Sequence, residues 1–529
     1  MVGYVLGIAI IILLCIIAEK FSDHFGMPAL ILFMFIGMVF GSDGIFKIEF
    51  DDFTLAETAC SLALVFIMFY GGFSTKWSAA KPVAGRAITL STLGVIVTAG
   101  ITTVLCHFLL HMSFEESFLI GAVLSSTDAA SVFSILRKKK LNLKDGTASV
   151  LEVESGSNDP IAYMLTVIAI SFLGTSDSGN VIWMVILQVI VGILVGIIVS
   201  VISIQITTKT NIVSDGLDTI FMIAMVLGCF GISTLLKGNA YLSLYIYGII
   251  IGNSRISNKQ TLVHFFDGVT SLSQILVFFL IGLLSYPSQM PQIIPTALLI
   301  VAILTFIARP IAVFLLMLPY KCSIRQNLLI SWAGLRGASS CVFAIMAVAS
   351  GINMRQDLFH IVFMVTLFSV SFQGGLLPWI SNKLGMVDND IDVRKTFTDY
   401  QEETALQLMR MYIPEGHGWA NKKIKDVNIP QGTLALMIKR NGETIIPKGD
   451  TEILANDTVI LSVPPYVPSE EEKLEEIEIQ QTHPWCRKAI GELGLKEDEL
   501  IALIFRNGET IIPDGKTTVL EGDKVVLYR

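Results

Sequence analysis

Residues 1–385 form a succession of apolar runs, most of them near the roughly 20 residues that a helix needs to cross bilayer hydrocarbon. The runs lie at about 3–19, 27–41, 56–73, 87–110, 115–136, 147–173, 181–206, 217–236, 240–252, 265–284, 293–318, 326–349 and 358–380. In lipid every backbone N–H and C=O must be satisfied inside the protein, so runs of this length fold as helices. With 53% of the chain hydrophobic and 16% charged, the reading is an all-α polytopic membrane domain of about thirteen spans. The first run has no basic flank and no cleavage signal, so it reads as a retained span. The seven cysteines are scattered singly and read as small apolar fillers.

Basic residues in the loops set the orientation. Lys76, Lys81 and Arg86, the run Arg137 to Lys140 with Lys144, Arg255 with Lys259, and Lys321 with Arg325 all fall on one side if the C-terminus is cytoplasmic. Lys47, Lys237 and Arg355 fall on the other, beside acids such as Asp43, Asp51 and Glu115. The positive-inside rule then places the N-terminus outside. The net charge of −8 owes much to tail clusters such as Glu470–Glu472, which argues against nucleic acid as a partner.

Beyond residue 385 the sequence turns polar. A linker at 386–398 leads to a tail read as small and α+β, containing an internal repeat. Arg440 to Pro447 recurs verbatim as Arg506 to Pro513, and Trp419 recurs as Trp485, each 66 positions on. Copy 1 spans 399–466 and copy 2 spans 467–529. Each reads as a hairpin turned at Asn-Gly, with strands Leu434–Arg440 and Thr444–Ile446, or Ile501–Arg506 and Thr510–Ile512. A third strand follows at Thr458–Val463 or Lys524–Tyr528, and Glu470–Gln480 reads as helix or strand.

Three polar interruptions break the apolar texture. Glu154-Ser155-Gly156-Ser157-Asn158-Asp159-Pro160 opens a long apolar run. A charged side chain at bilayer depth costs at least about 2.5–3.5 kcal/mol and usually marks an ion or proton pathway. On a helix, Glu154 and Asn158 are i and i+4, as are Ser155 and Asp159, so the four share one side. Carboxylate, hydroxyl and amide oxygens suit hard monovalent cations rather than transition metals. Low dielectric favours the protonated carboxyl, so proton and cation compete at Asp159. Upstream, Ser125-Ser126-Thr127-Asp128 interrupts the fifth run; downstream, Gly334-Leu335-Arg336-Gly337-Ala338-Ser339-Ser340 interrupts the twelfth. Paired interruptions suggest inverted repeats with broken helices crossing at mid-depth. Arg309 and Arg336 also lie in apolar context, and one of them is expected to compensate Glu154.

These motifs, with Pro28 to Gly41 and Phe66 to Gly72, resemble the cation/proton antiporter-1 family over residues 1–385. The resemblance implies a homodimer whose core domain moves as an elevator, with Asp159 as the shared proton and cation site and Asn158 as its amide partner. Glu154, Ser155 and Thr127 would complete or support coordination, and Asp128 joins the candidate cation ligands. The Asn-Asp pair implies electroneutral exchange. The tail resembles two C-terminal subdomains of the regulators of potassium conductance, the TrkA-C type. That tilts the expected cation to K⁺ over Na⁺ and raises cyclic di-AMP as a regulatory ligand; no other cofactor is expected. With no G-x-G-x-x-G, control by NAD is not expected.

The alternatives are a Na⁺ or Li⁺ antiporter whose tail only clamps a dimer, a gated K⁺ channel, and an organic-solute transporter. A channel would need a carbonyl filter, and no Thr-Val-Gly-Tyr-Gly is present. An enzyme is not expected: His107, His111, His264 and His360 fall at run ends without a nucleophile motif.

Overall fold

The computed structural model describes the chain except residues 1, 26–27, 140, 175–180, 210–216, 255, 257, 353, 389–406, 428, 431–432, 441–442, 464–473, 480–482, 496–499, 507–508, 512 and 529. Most of the expected linker and both Asn-Gly turns lie outside the described residues, as do Lys140, Arg255 and the start of the acidic stretch. The chain divides into two compact units, Met1–Gln401 and Glu402–Arg529.

The first unit is helical: α1 (Val2–Phe25), α2 (Ala29–Phe40), α3 (Phe53–Ser74), α4 (Ala84–Leu110), α5 (Phe114–Val123), α6 (Ala129–Lys138), α7 (Thr147–Leu173) and α8 (Val181–Lys209). There follow α9 (Asp218–Leu235), α10 (Ala240–Gly252), α11 (Lys259–Leu283), α12 (Met290–Tyr320), α13 (Ile324–Trp332), α14 (Ala338–Ala349) and α15 (Leu358–Lys383). Among the described residues, eight helices are long and apolar enough to cross a membrane, and three more apolar helices, α2, α10 and α14, are shorter.

Helix starts follow local chemistry. Asp52 accepts from Leu55 N at 2.9 Å, Asn239 from Leu242 N at 3.0 Å, and Ser113 and Glu116 form a reciprocal capping box. Glycine lets two pairs of helices touch backbone to backbone. A Cβ on Gly37 of α2 would lie 2.8 Å from Gly282 Cα of α11, and one on Gly248 of α10 would lie 2.8 Å from Phe73 N of α3. With little hydrophobic drive between helices in lipid, such small-residue contacts are what hold them together.

Three of the long helices carry a π-helical turn: Leu90–Gly94 in α4, Leu304–Ala308 in α12 and Ser369–Gly374 in α15. Two segments are broken, α5/α6 at 124–128 and α13/α14 at 333–337. The breaks are stitched together where Asp128 N donates to Leu335 O at 2.8 Å. A two-residue ladder joins β1 (Asn142–Leu143) to β2 (Val387–Asp388).

The second unit, expected as α+β, contains strands and single 3₁₀ turns among its described residues. Its strands are β3 (Gln407–Tyr412), β4 (Lys422–Lys423), β5 (Leu434–Arg440), β6 (Glu443–Ile445), β7 (Glu452–Ile453), β8 (Thr458–Val463), β9 (Leu474–Glu478), β10 (Leu500–Arg506), β11 (Glu509–Ile511) and β12 (Lys524–Tyr528). The hairpin return strands thus begin one residue earlier than the sequence suggested. Within Glu470–Gln480, the described residues Leu474–Glu478 form strand β9, and β3 is its counterpart in the first copy.

The two sheets run β3-β8-β5-β6 and β9-β12-β10-β11, each with a register shift at the equivalent place, Ala435/Met437 and Ile501/Leu503. Their cores match position for position: Ile413, Ile438, Ile453, Val459 and Leu461 recur 66 residues on as Ile479, Ile504, Val519, Val525 and Leu527. Each copy is closed by the same ion pair. Arg440 Nε and Nη2 clasp the Asp457 carboxylate at 2.8 and 2.7 Å, and Arg506 clasps Asp523 at 2.7 and 2.7 Å.

Candidate functional site

The site lies where α7 meets the two breaks. Asp159 is 4% exposed, and each of its carboxylate oxygens accepts a hydroxyl hydrogen from a different broken segment. Ser126 donates to Oδ1, and Ser339 donates to Oδ2 at 2.6 Å. Ser126 lies in the α5/α6 break and Ser339 in the first turn of α14, so one carboxylate joins both. The N-terminal ends of α6 and α14 bring first-turn N–H groups that have no intrahelical partner, and the positive end of the helix dipole, to the crossing.

The other expected residues surround Asp159 in graded contact. Ser155 Oγ donates to the Thr127 carbonyl at 2.5 Å, and Asn158 Nδ2 donates to Thr127 Oγ1 at 2.5 Å. Asn158 is fully buried, and its Oδ1 has no hydrogen-bond partner among the described residues. Asp128 accepts from Ser131, and a Cβ on Gly337 would overlap its carboxylate, so glycine at 337 is a condition of the crossing. A cavity of about 450 Å³ reaches Thr127, Asp128, Ser155, Asp159 and Ser339. Asn158 does not line it.

Pro160 shapes the same wall. Lacking an N–H, it leaves the Gly156 carbonyl without its intrahelical partner, and Gly156 lines the cavity. The Pro160 carbonyl accepts from Asn239 Nδ2 at 2.7 Å, which ties α7 to the start of α10.

The arginines take separate duties. Arg309 Nη2 meets Glu154 Oε1 at 2.5 Å, both side chains at 3% exposure or less. Arg336 instead donates from Nη1 to the carbonyls of Ser125 and Ser126, at 2.9 and 2.7 Å, satisfying groups that the α5/α6 break frees from helical bonding. Of the two partners the sequence left open for Glu154, the fold pairs Arg309.

Sequence reasoning missed Ser126 and Ser339 as the hydroxyl partners of Asp159, and Gly156 as part of the cavity wall. The signal was present, since both serines sit inside the polar interruptions and Gly156 is four residues before a proline. The partners of Asp159, however, are 33 and 180 residues away along the chain.

The sodium/hydrogen exchanger transmembrane model matches residues 9–383, and the TrkA-C domain matches twice, at 408–465 and 474–528. The chain is 30% identical over 462 residues to the K(+)/H(+) antiporter NhaP of Alkalimonas amylolytica, covering 86% of this chain and 80% of that protein. It is 29% identical over 455 residues to the K(+)/H(+) antiporter NhaP2 of Shewanella baltica, covering 85% and 79%. Against Na(+)/H(+) antiporter 1 of Methanocaldococcus jannaschii the identity is 25% over 367 residues, covering 67% and 84%. The fold is similar to the solved structure of the sodium proton antiporter MjNhaP1 from that organism, with TM-score 0.64 and 21% identity over 72% of this chain and 99% of that one. With broken helices crossing beside a buried Asn-Asp pair and a two-copy TrkA-C tail, the chain belongs to the sodium/hydrogen exchanger family.

Proposed function

We propose that this protein is a secondary active antiporter that exchanges a monovalent cation for a proton, with both competing for Asp159. The observation that carries the reading is the Asp159 carboxylate, buried at the crossing of two broken helices, held by hydroxyls from both and open to one cavity. Proton and cation both neutralise the same charge, and the empty anion is the costly form to move through low dielectric. That penalty is what makes exchange obligatory.

Asp159, Ser155, Thr127 and Asp128 supply oxygens at the cavity wall, with Asn158 Oδ1 beside them. Glu154 and Arg309 form the supporting ion pair, and Arg336 holds the crossing. The kinship with K(+)/H(+) antiporters favours K⁺. Sodium exchange is the second reading, favoured by the similarity to a Na(+)/H(+) antiporter.

The wider reading has thirteen crossings, the N-terminus outside and a cytoplasmic tail, in a homodimer that works as an elevator and exchanges one cation per proton. The domains run 1–385 for transport, 386–398 as linker, and 399–466 and 467–529 as the two tail copies. The tail regulates exchange, with cyclic di-AMP as its candidate ligand.

The test uses purified full-length protein in liposomes with an internal pH dye, challenged in turn with K⁺, Na⁺, Li⁺ and Rb⁺. Cation-driven proton movement is expected with K⁺ strongest, and Asp159→Asn is expected to abolish it while the protein stays folded. Exchange that persists in Asp159→Asn would remove Asp159 from its role, and an initial rate that responds to imposed membrane potential would remove electroneutrality.

A further inference from the structure

The α13/α14 break is flanked by Trp332, the last residue of α13, and contains Arg336, two residues before α14. Both ends of the break are held by one π-helical turn of α15. Gln373 Nε2 donates to the Trp332 carbonyl at 2.5 Å, and Trp332 Nε1 donates back to the Gln373 carbonyl at 2.9 Å. Arg336 N donates to Ser369 Oγ at 3.1 Å, and Ser369 Oγ donates on to Gln373 Oε1 at 3.0 Å. Thr305 Oγ1 reaches the same Oε1 at 3.4 Å. Thr305 belongs to the π turn of α12 that ends at Ala308, immediately before Arg309.

Gln373 and Ser369 are 5% and 2% exposed, so these bonds have no water to replace them. The position needs a donor for a carbonyl and an acceptor for two hydroxyls on one short head. A side-chain amide offers both, an N–H donor and a carbonyl acceptor, on one uncharged head. From Gln373 the contacts run without a gap to the site: Ser369, the Arg336 backbone, the Arg336 guanidinium, Ser126, and then Asp159 Oδ1.

We propose that Gln373 is a positioning residue for cation binding, fixing the helix break so that Arg336 and Ser126 present the Asp159 carboxylate in its binding geometry. This rests on the exchange function proposed for Asp159. Gln373 itself touches no ion; it acts through the break.

The experiment measures exchange in proteoliposomes for wild type, Gln373→Ala, Gln373→Glu and a control, Thr166→Val. Thr166 is equally buried and bonds only its own helix, at Ala162 O. Gln373→Ala is expected to raise the cation KM about five- to tenfold, with the maximal rate within about twofold of wild type, as a lost buried hydrogen bond predicts. Gln373→Glu keeps the acceptor but donates to Trp332 only when protonated. Its rate relative to wild type is therefore expected to fall as pH rises, while that of Thr166→Val stays level.

An unchanged KM in Gln373→Ala together with a level ratio in Gln373→Glu would overturn the proposal, as would a uniform drop in maximal rate with neither effect. If Gln373→Ala does not fold, the Gln373→Glu ratio decides alone. Wild-type vesicles without any exchange would instead remove the function proposed for Asp159, and this inference with it.

Discussion

Glu154 and Arg309 are joined through one carboxylate oxygen, while Glu154 Oε2 and Arg309 Nε lack hydrogen-bond partners among the described residues. Removing one partner strands a buried charge, and Arg309→Ala is expected to destabilise the membrane domain by about 3–5 kcal/mol. The paired change Glu154→Leu with Arg309→Leu is expected to recover much of that. Melting of the purified variants in detergent separates the two, and equal losses in the single and paired variants would refute the account. What the sequence made legible at this scale was charge out of place: Asp159 and Glu154 stand out in an apolar run because lipid tolerates neither. What it hid was pairing, since the choice between Arg309 and Arg336 depends on which break each helix crosses. Arg336 lies among freed carbonyls, and Arg309 follows a π turn that no residue pattern announced.

At the scale of elements, the short helices depend on close contact more than on length. Gly248→Val would drive a branched side chain into the α3 backbone near Phe73 N. We expect loss of folded protein, read as a collapse of the monodisperse peak in fluorescence-detected size exclusion; an unchanged peak would show that α3 and α10 can separate. The apolar runs predicted where helices lie, and Gly and Ser clusters predicted where two of them break. The π turns escaped because they change winding without changing composition. In the tail, Asn-Gly between alternating segments announced the hairpins, yet β3 and β9 passed unread or ambiguous. Each pairs with the last strand of its copy, β8 or β12, about 50 residues later, and such partnership leaves no local turn signal.

The tail as a whole carries its own stability switch. Asp457 is nearly inaccessible, and the Arg440 hydrogen bonds hold its carboxyl below the usual carboxylate range, helped by Leu454 N–H. At Asp523 burial pushes upward, but the Arg506 hydrogen bonds, Leu520 N–H and the guanidinium charge prevail, and the net direction is again down. A lowered folded value means that the stabilisation is fully present above the unfolded value near pH 4 and is lost as pH falls below it. Asp457→Asn is expected to cost about 2 kcal/mol. Hydrogen exchange of the β8 amides in the full chain should quicken in that variant at pH 7, while those of β12 stay protected. Acceleration of both would mean that the two copies unfold as one. Deleting 396–529 is expected to change the pH or ligand dependence of exchange and leave the Asp159 chemistry in place, which the liposome assay reads directly; a folded truncation that no longer binds the cation would contradict that division.

Asp159 is gripped from two directions, one oxygen by Ser126 of the first broken segment and the other by Ser339 of the second. Such a carboxylate acts as a gauge of the distance between the two broken segments. In the exchange proposed for Asp159, any shift of one broken segment against the other would release one hydroxyl before the other and leave carboxylate charge for a proton or cation. Under that proposal, occupancy and helix spacing would be two readings of a single coordinate, and an ion at this residue would report its presence to parts of the protein it never touches.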